Sequence, residues 1–261
     1  MSATFTVKRR INNIIQFVWK QLGYPVRHKG SNPRDQQDKW VERVLRKKRN
    51  GYFLDIGCKH AHASNNSYLL ETKYGWTGKA VDPFPSGDWA KLRPKSKLIR
   101  RPVSDVGDQE VDFVNPGTNT GGLKSTIGRS GANVKRGVKG TTISPRQMLQ
   151  ATPASPREVD YMSIDVEGQE YAIIKAFPFD EYLVRCISVE HNTSIHLKGT
   201  HGYEGQCERQ EKIMKLLKEK GFVFVGANRG DDFFVHKSHF DTLTPEEEKR
   251  VKFPKLKRYR Y

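Results

Sequence analysis

Tyr52-Phe53-Leu54-Asp55-Ile56-Gly57-Cys58 is an apolar run broken by an acid and stopped by a glycine. Such a run is expected to be a buried strand that turns abruptly into a loop. In an open parallel sheet, ligands bind outside the carboxyl ends of the strands, where the chain turns towards a helix. Here the turn spans Gly57 to Ser64, and Asn65-Asn66-Ser67 supplies capping residues for a helix carrying Tyr68, Leu69, Leu70 and Tyr74. A second short strand, Lys79-Ala80-Val81, closes on Asp82-Pro83. Asp55 and Asp82 therefore stand at neighbouring strand ends, at about the ~20-residue separation at which an acidic side chain takes a ribose diol. Ala61 stands where a second glycine would admit a closer ligand, and Lys59, His60 and His62 add bulk. That loop argues against a dinucleotide, and the absence of a Gly-x-x-x-x-Gly-Lys-Ser/Thr stretch argues against a triphosphate cradle.

Working outward, the same pattern repeats. Lys97 to Arg100 begins a third strand that ends near Val103-Ser104-Asp105, and Val111 to Val114 forms a small additional one. Val159 to Asp165 is a fourth buried strand, followed by Glu167, Gly168 and a helix from Gln169 to about Ala176. Cys186 to Val189 is a fifth, tipped by Glu190-His191-Asn192. Parallel winding would place Asp55, Asp82, Asp105, Asp165 and Glu190 along one edge of the sheet. A helix from about Glu204 to Lys220 then precedes a hairpin of Phe222 to Val225 and Asp232 to Val235.

A leading helix from about Arg34 to Lys48 puts Trp40, Val41, Val44 and Leu45 on one face, and Thr244-Pro245-Glu246-Glu247 is a capping box for a last helix. Three parts are expected: 1–33, a basic, amphipathic helix and linker; 34–240, the folded domain, with 115–141 a mobile, basic, glycine-rich loop; and 241–261, a basic tail.

Lys and Arg number 46 against 29 Asp and Glu, a net charge of +17. Such a surplus suits an anionic partner, either nucleic acid or an anionic membrane surface. Three cysteines, without Cys-x-x-Cys spacing, point to free thiols in a reducing, cytoplasmic compartment and away from zinc. The apolar stretch Ile11 to Val18 is interrupted by Asn12, Asn13 and Gln16, which suits neither a signal peptide nor a membrane span. A helix lying on a membrane surface, or packed on the domain, fits it better.

With these motifs in place, the chain resembles the FkbM family of S-adenosylmethionine-dependent O-methyltransferases over roughly Asp35 to Lys237. The resemblance rests on Gln36-x-x-Lys39-Trp40, Phe53-Leu54-Asp55-Ile56-Gly57, Asn65 to Glu71, Gly75-Trp76-x-Gly78 leading to Val81-Asp82-Pro83, Ser163-Ile164-Asp165-Val166-Glu167-Gly168-x-Glu170, and Val189-Glu190-His191-Asn192. It implies an α/β, Rossmann-like class I methyltransferase fold: a mostly parallel seven-stranded sheet with an antiparallel terminal hairpin and helices on both faces. It further implies that Gly57 and Cys58 pass under the methionine part of S-adenosyl-L-methionine while Asp55 and Asn66 steady the loop. Asp82, followed by Pro83, would accept the ribose hydroxyls, and Ser104 with Asp105 would flank the adenine. A neutral sugar hydroxyl is a poor nucleophile, so a base is needed. His191 is one expectation, oriented by Asp165; the other is that Asp165, Glu167 and Glu190 gather a divalent cation such as Mg that acidifies the hydroxyl. The acceptor implied is a sugar hydroxyl of a glycan or glycoconjugate. Two alternatives are an RNA or cap ribose, and a protein that kept the fold as a non-catalytic binding or structural element.

Overall fold

The computed structural model describes residues 36–114, 122–124, 137–191, 203–228 and 230–253. The expected N-terminal helix, most of the glycine-rich loop, Asn192 and the last residues of the basic tail lie outside them. Ten strands are present among the described residues: β1 (Tyr52–Ile56), β2 (Thr77–Val81), β3 (Ser96–Ile99), β4 (Glu110–Val114), β5 (Gly122–Leu123), β6 (Gly137–Thr141), β7 (Glu158–Ile164), β8 (Leu183–Glu190), β9 (Phe222–Ala227) and β10 (Asp231–His236). The helices are α1 (Gln37–Val44), α2 (Tyr68–Tyr74), α3 (Trp89–Leu92), α4 (Pro145–Gln150), α5 (Glu170–Ala176), α6 (Tyr203–Glu219), α7 (Lys237–Phe240) and α8 (Pro245–Val251).

Seven strands form one sheet in the order β3-β2-β1-β7-β8-β10-β9, and β5-β4-β6 form a small second sheet. β3, β2, β1, β7 and β8 are parallel, whereas β10 is antiparallel to both its neighbours. This is the expected class I methyltransferase layout. Both faces of the sheet are buried because successive side chains point to opposite sides. The row Phe53, Tyr161, Cys186 and Val235 packs with Trp40 and Val44 of α1 and Leu70 of α2. The next row, Leu54, Met162, Ile187 and Phe234, packs with Met148 of α4, Ile173 of α5 and Leu217 of α6.

The structure departs from the sequence expectation at three places. Gly137–Thr141, expected in the mobile loop, is a strand paired along the whole of β4, because its alternation gives β4 a second hydrogen-bonding edge. α4 was not anticipated, although Ser144 and Gln147 form a reciprocal capping box with Pro145 in the first turn. The segment 241–261, expected as a basic tail carrying one helix begun by its capping box, has that helix at Pro245–Val251 and is packed on the domain as far as Phe253. The Trp40 indole donates to the Val251 carbonyl at 3.1 Å, and Phe253 stacks on Phe233 with ring centroids 4.4 Å apart. No helix among the described residues is long and apolar enough to cross a membrane.

Candidate active site

Strand register builds the site. Ile99, Val81, Ile56, Ile164 and Val189 are matched across five parallel strands, so the residues one step further along form the next level. That level holds Asp82, Gly57, Asp165 and Glu190. Backbone bonds fix it: Gly57 N–H donates to the Val81 carbonyl at 2.8 Å and Asp165 N–H to the Ile56 carbonyl at 2.9 Å. Gly57 has φ +87°, and a Cβ there would lie 1.8 Å from the Asp165 carbonyl oxygen. Glycine is required by this contact with β7 and not only by the space a ligand needs.

A cleft of about 420 Å³, counting the solvent at its mouth, opens at this level. Gly57, Lys59, Asp82 and Asp165 are its polar side, and Pro102, Val103, Phe113 and Leu123 its apolar side. A wider groove of about 810 Å³, counted the same way, continues past Phe84 and Phe113 to Arg100, Arg101 and Lys139. Phe84 and Phe113 form the step between the two, with ring centroids 5.1 Å apart.

Asp82 is held by two backbone donors, Lys59 N–H to Oδ2 at 3.0 Å and Phe84 N–H to Oδ1 at 2.8 Å. A carboxylate offers about four acceptor positions. One on each oxygen therefore stays open, which fits a vicinal diol. Burial pushes the Asp82 carboxyl above its ordinary range.

Asp55 lies two residues earlier, inside β1, and is not part of the cleft lining. It accepts the Ser67 hydroxyl at 2.6 Å, and Ser67 in turn accepts Arg93 Nη2 at 2.8 Å. Arg93 also pairs with Glu71 at 2.7 Å and donates to Asn65 Oδ1 at 2.7 Å. Burial raises Asp55 to about 6, with Ser67 and Arg93 opposing. Asn66 donates to the Ser163 hydroxyl at 2.8 Å, bracing the loop against β7. Cys58 points inward beside Ala61, Ala80 and Trp89, and burial raises its thiol well above the ordinary value. It does not line the cleft. Ala61 is fully buried in the same cluster, so its methyl group packs the loop and leaves the cleft open. Pro83 lines the cleft. Ser104 and Asp105 bond to one another at 2.9 Å outside the cleft lining, whose nearby wall is Pro102 and Val103.

Asp165, Glu167 and Glu190 meet, with one oxygen of each within 4.8 Å of the others. Burial and the neighbouring carboxylates raise Glu167 and Glu190 above their ordinary values, while Lys59 opposes. Glu190 Oε2 is buried without a hydrogen-bond partner. The Lys59 ammonium lies 3.4 Å from both oxygens of Asp165 and 3.6 Å from Glu167. Lys59 and Glu167 both hold left-handed backbone, φ +50° and +58°, a conformation that costs a non-glycine residue energy and concentrates at functional sites. Glu170, at the start of α5, accepts the N–H groups of Val166 and Gly168 and so fixes the turn that carries Glu167.

His191 is not among them. It is 2% exposed, its N–H donates to the Gly230 carbonyl at 2.8 Å, and its Nε2 lies 3.9 Å from Asp232. Burial lowers its pKa to about 4. The expectation of His191 as a base oriented by Asp165 meets a physical obstacle. Successive residues at the end of β8 turn to opposite sides, and it is Glu190 that faces the cluster.

The FkbM methyltransferase domain model matches residues 55–224, about two thirds of the chain. The chain belongs to the FkbM methyltransferase family. The matched span begins at Asp55 and takes in the cleft, the three carboxylates and α6. A protein from Lactococcus lactis, solved as "a putative hemolysin", is similar at 14% identity, covering 76% of this chain and 82% of its own, with a TM-score of 0.41. No curated protein matches the sequence. Lys59, Glu170, Val103 and Phe113 were not anticipated as parts of this FkbM site. Lys59 had a visible signal, a basic residue directly after the first strand turn; the apolar wall had none, since its residues come from the segment after β3 and from β4 and β5 of the small sheet.

Proposed function

We propose that the protein is an S-adenosylmethionine-dependent O-methyltransferase acting on a sugar hydroxyl of a glycan or glycoconjugate. The observation that carries this reading is the level of Asp82, Gly57 and Asp165 around one cleft, with Glu190 on the same level joined to Asp165. Asp82 would hold the ribose diol, Pro83 and the Val103–Phe113 wall would take the flat base, and the Gly57 turn would lie beneath the methionine part. When bound, the cofactor supplies an electrophilic methyl group to the acceptor oxygen. Asp55 and Asn66 act indirectly, by keeping the loop between β1 and α2 in place.

The chain's own residues then orient the acceptor and remove its proton. The cluster of Asp165, Glu167 and Glu190 is the base in this reading. Burial and then mutual repulsion raise the proton affinity of the two glutamates, which suits them to a weakly acidic hydroxyl. His191 stays outside the step and supports the end of β8. The same three carboxylates have the spacing of a divalent-cation site, which is the competing use of the cluster.

A second acceptor class, RNA or cap ribose, is favoured by the charge of +17 and by Arg100, Arg101 and Lys139 on the adjoining groove. Isothermal calorimetry with S-adenosylmethionine tests the cofactor, and a folded protein that does not bind it would favour a non-catalytic role. Tritiated methyl transfer to glycan and RNA acceptors separates the two substrate classes. Label appearing on neither would remove both.

A further inference from the structure

Lys59 has no role in the reading above, yet its side chain ends among all three carboxylates. Its ammonium is nearly equidistant from the two Asp165 oxygens, at 3.4 Å each, and is 3.6 Å from Glu167 Oε1. Charge from Lys59 is also felt at Glu190. The side chain is about one third exposed, but its backbone is tied on both sides: its N–H to Asp82, and its carbonyl to the Ser86 N–H at 2.9 Å. Left-handed φ at Lys59 and at Glu167 turns the two residues towards one another.

Among the described residues, Asp165, Glu167 and Glu190 are the one His, Cys, Asp or Glu group spaced to share a metal ion. Six to eight oxygens around Ca²⁺ sit ~2.3–2.6 Å from the ion, which puts opposite oxygens just under ~5 Å apart. The three carboxylates match that span. An ammonium and a divalent cation cannot share it, because like charges a few ångströms apart repel strongly where solvent is scarce. Glu190 Oε2, buried and without a partner, marks the part of the cluster that a single ammonium does not satisfy.

We propose that Lys59 is the resident cation of this cluster: its ammonium stands in place of a divalent metal ion, and it is a positioning residue that holds Asp165 and Glu167 at the floor of the cleft. Methyl transfer by this protein then needs no divalent cation. This use of Lys59 deepens the proposed function, but cation occupancy can be read without any activity.

The test is titration of full-length protein with Mn²⁺, counting free ion by its paramagnetic resonance. Wild type and Lys59→Arg are expected to show no saturable site up to about 1 mM, the weak end of protein oxygen sites. Lys59→Gln is expected to gain one site at least tenfold tighter, lost again when Glu190→Gln is added. Thermal melts confirm that each variant is folded. A saturable site in wild type that disappears in Asp165→Asn would overturn the proposal, as would a folded Lys59→Gln that binds no more ion than wild type. If methyl transfer is found, chelator should leave it unchanged, and a tenfold loss restored by Mg²⁺ would also overturn it. If wild type transfers no methyl group at all, the functional reading falls and the ion titration still decides the question of Lys59.

Discussion

The carbonyl oxygen of Asp165 occupies the place a side chain on Gly57 would need. An ideal Cβ on Gly57 would lie 1.8 Å from that oxygen, at φ +87°. The turn after β1 and the end of β7 are thereby pressed together, and backbone contact places Asp165 at the cleft. Gly57→Ala must separate the two segments as well as strain the turn. We expect a loss of roughly 2–4 kcal/mol in urea unfolding. A variant within 0.5 kcal/mol of wild type, as an order-of-magnitude margin, would show that the two segments are not so closely joined.

Asp82→Ala removes the acceptor for two ribose hydroxyls. At about 1.5 kcal/mol for each bond to a charged group, affinity for S-adenosylmethionine should fall about 100-fold by calorimetry. Asp105→Ala, outside the cleft lining, should leave it within about twofold. Equal losses in the two variants would place the ribose elsewhere.

Arg93 is buried, with its side chain 0% exposed, between Glu71, Asn65 and Ser67. Arg93→Met leaves Glu71 as an uncompensated buried charge and frees the hydroxyl that holds Asp55. The expected cost is about 3–5 kcal/mol. Glu71→Gln, which keeps a hydrogen-bonding group, should cost less. Chemical denaturation reads both, and the reverse order would contradict a network centred on the guanidinium.

Asp55 has a folded-state value of about 6 against an ordinary 3.8. Between those values the folded chain holds a proton that the unfolded chain releases, so this group lowers stability as pH rises from about 4 to about 6. Two pH units correspond to roughly 3 kcal/mol. Asp55→Asn should abolish that fall, seen as a flatter pH profile of the urea midpoint. A profile identical to wild type would mean that Asp55 is ionised throughout.

His191 acts with the opposite sign. Its value falls from 6.5 to about 4, so below about 6.5 the unfolded chain takes up a proton that the folded chain refuses. Stability from this source is present above about 6.5 and lost as pH falls to about 4. His191→Gln should reduce acid destabilisation in that window while leaving the shape of the pH–rate profile of methyl transfer unchanged. Loss of the acidic limb of that profile, the limb a general base produces as it deprotonates, would return His191 to the chemistry.

The strands of the large sheet, their order of appearance and the acids Asp82, Asp165 and Glu190 at the ends of β2, β7 and β8 were legible in the sequence, and so was the FkbM family; β3 instead ends at Ile99, short of Asp105, and β5 and β6 were not anticipated. Apolar runs of strand length and the glycines and acids that stop them are local features, set by burial and by backbone freedom. Which of those acids share a site was decided only by tertiary structure. Register places Asp82, Gly57, Asp165 and Glu190 on one level and leaves Asp55 two residues below it along β1. Asp105 drops out because its loop runs past the cleft, and His191 because one residue along a strand reverses the direction of the side chain. The meeting of Lys59 with Asp165 depends on left-handed backbone at Lys59 and Glu167, held in place by Asp82, Ser86 and Glu170. Neither lysine nor glutamate prefers that conformation; contacts between segments far apart in the chain impose it.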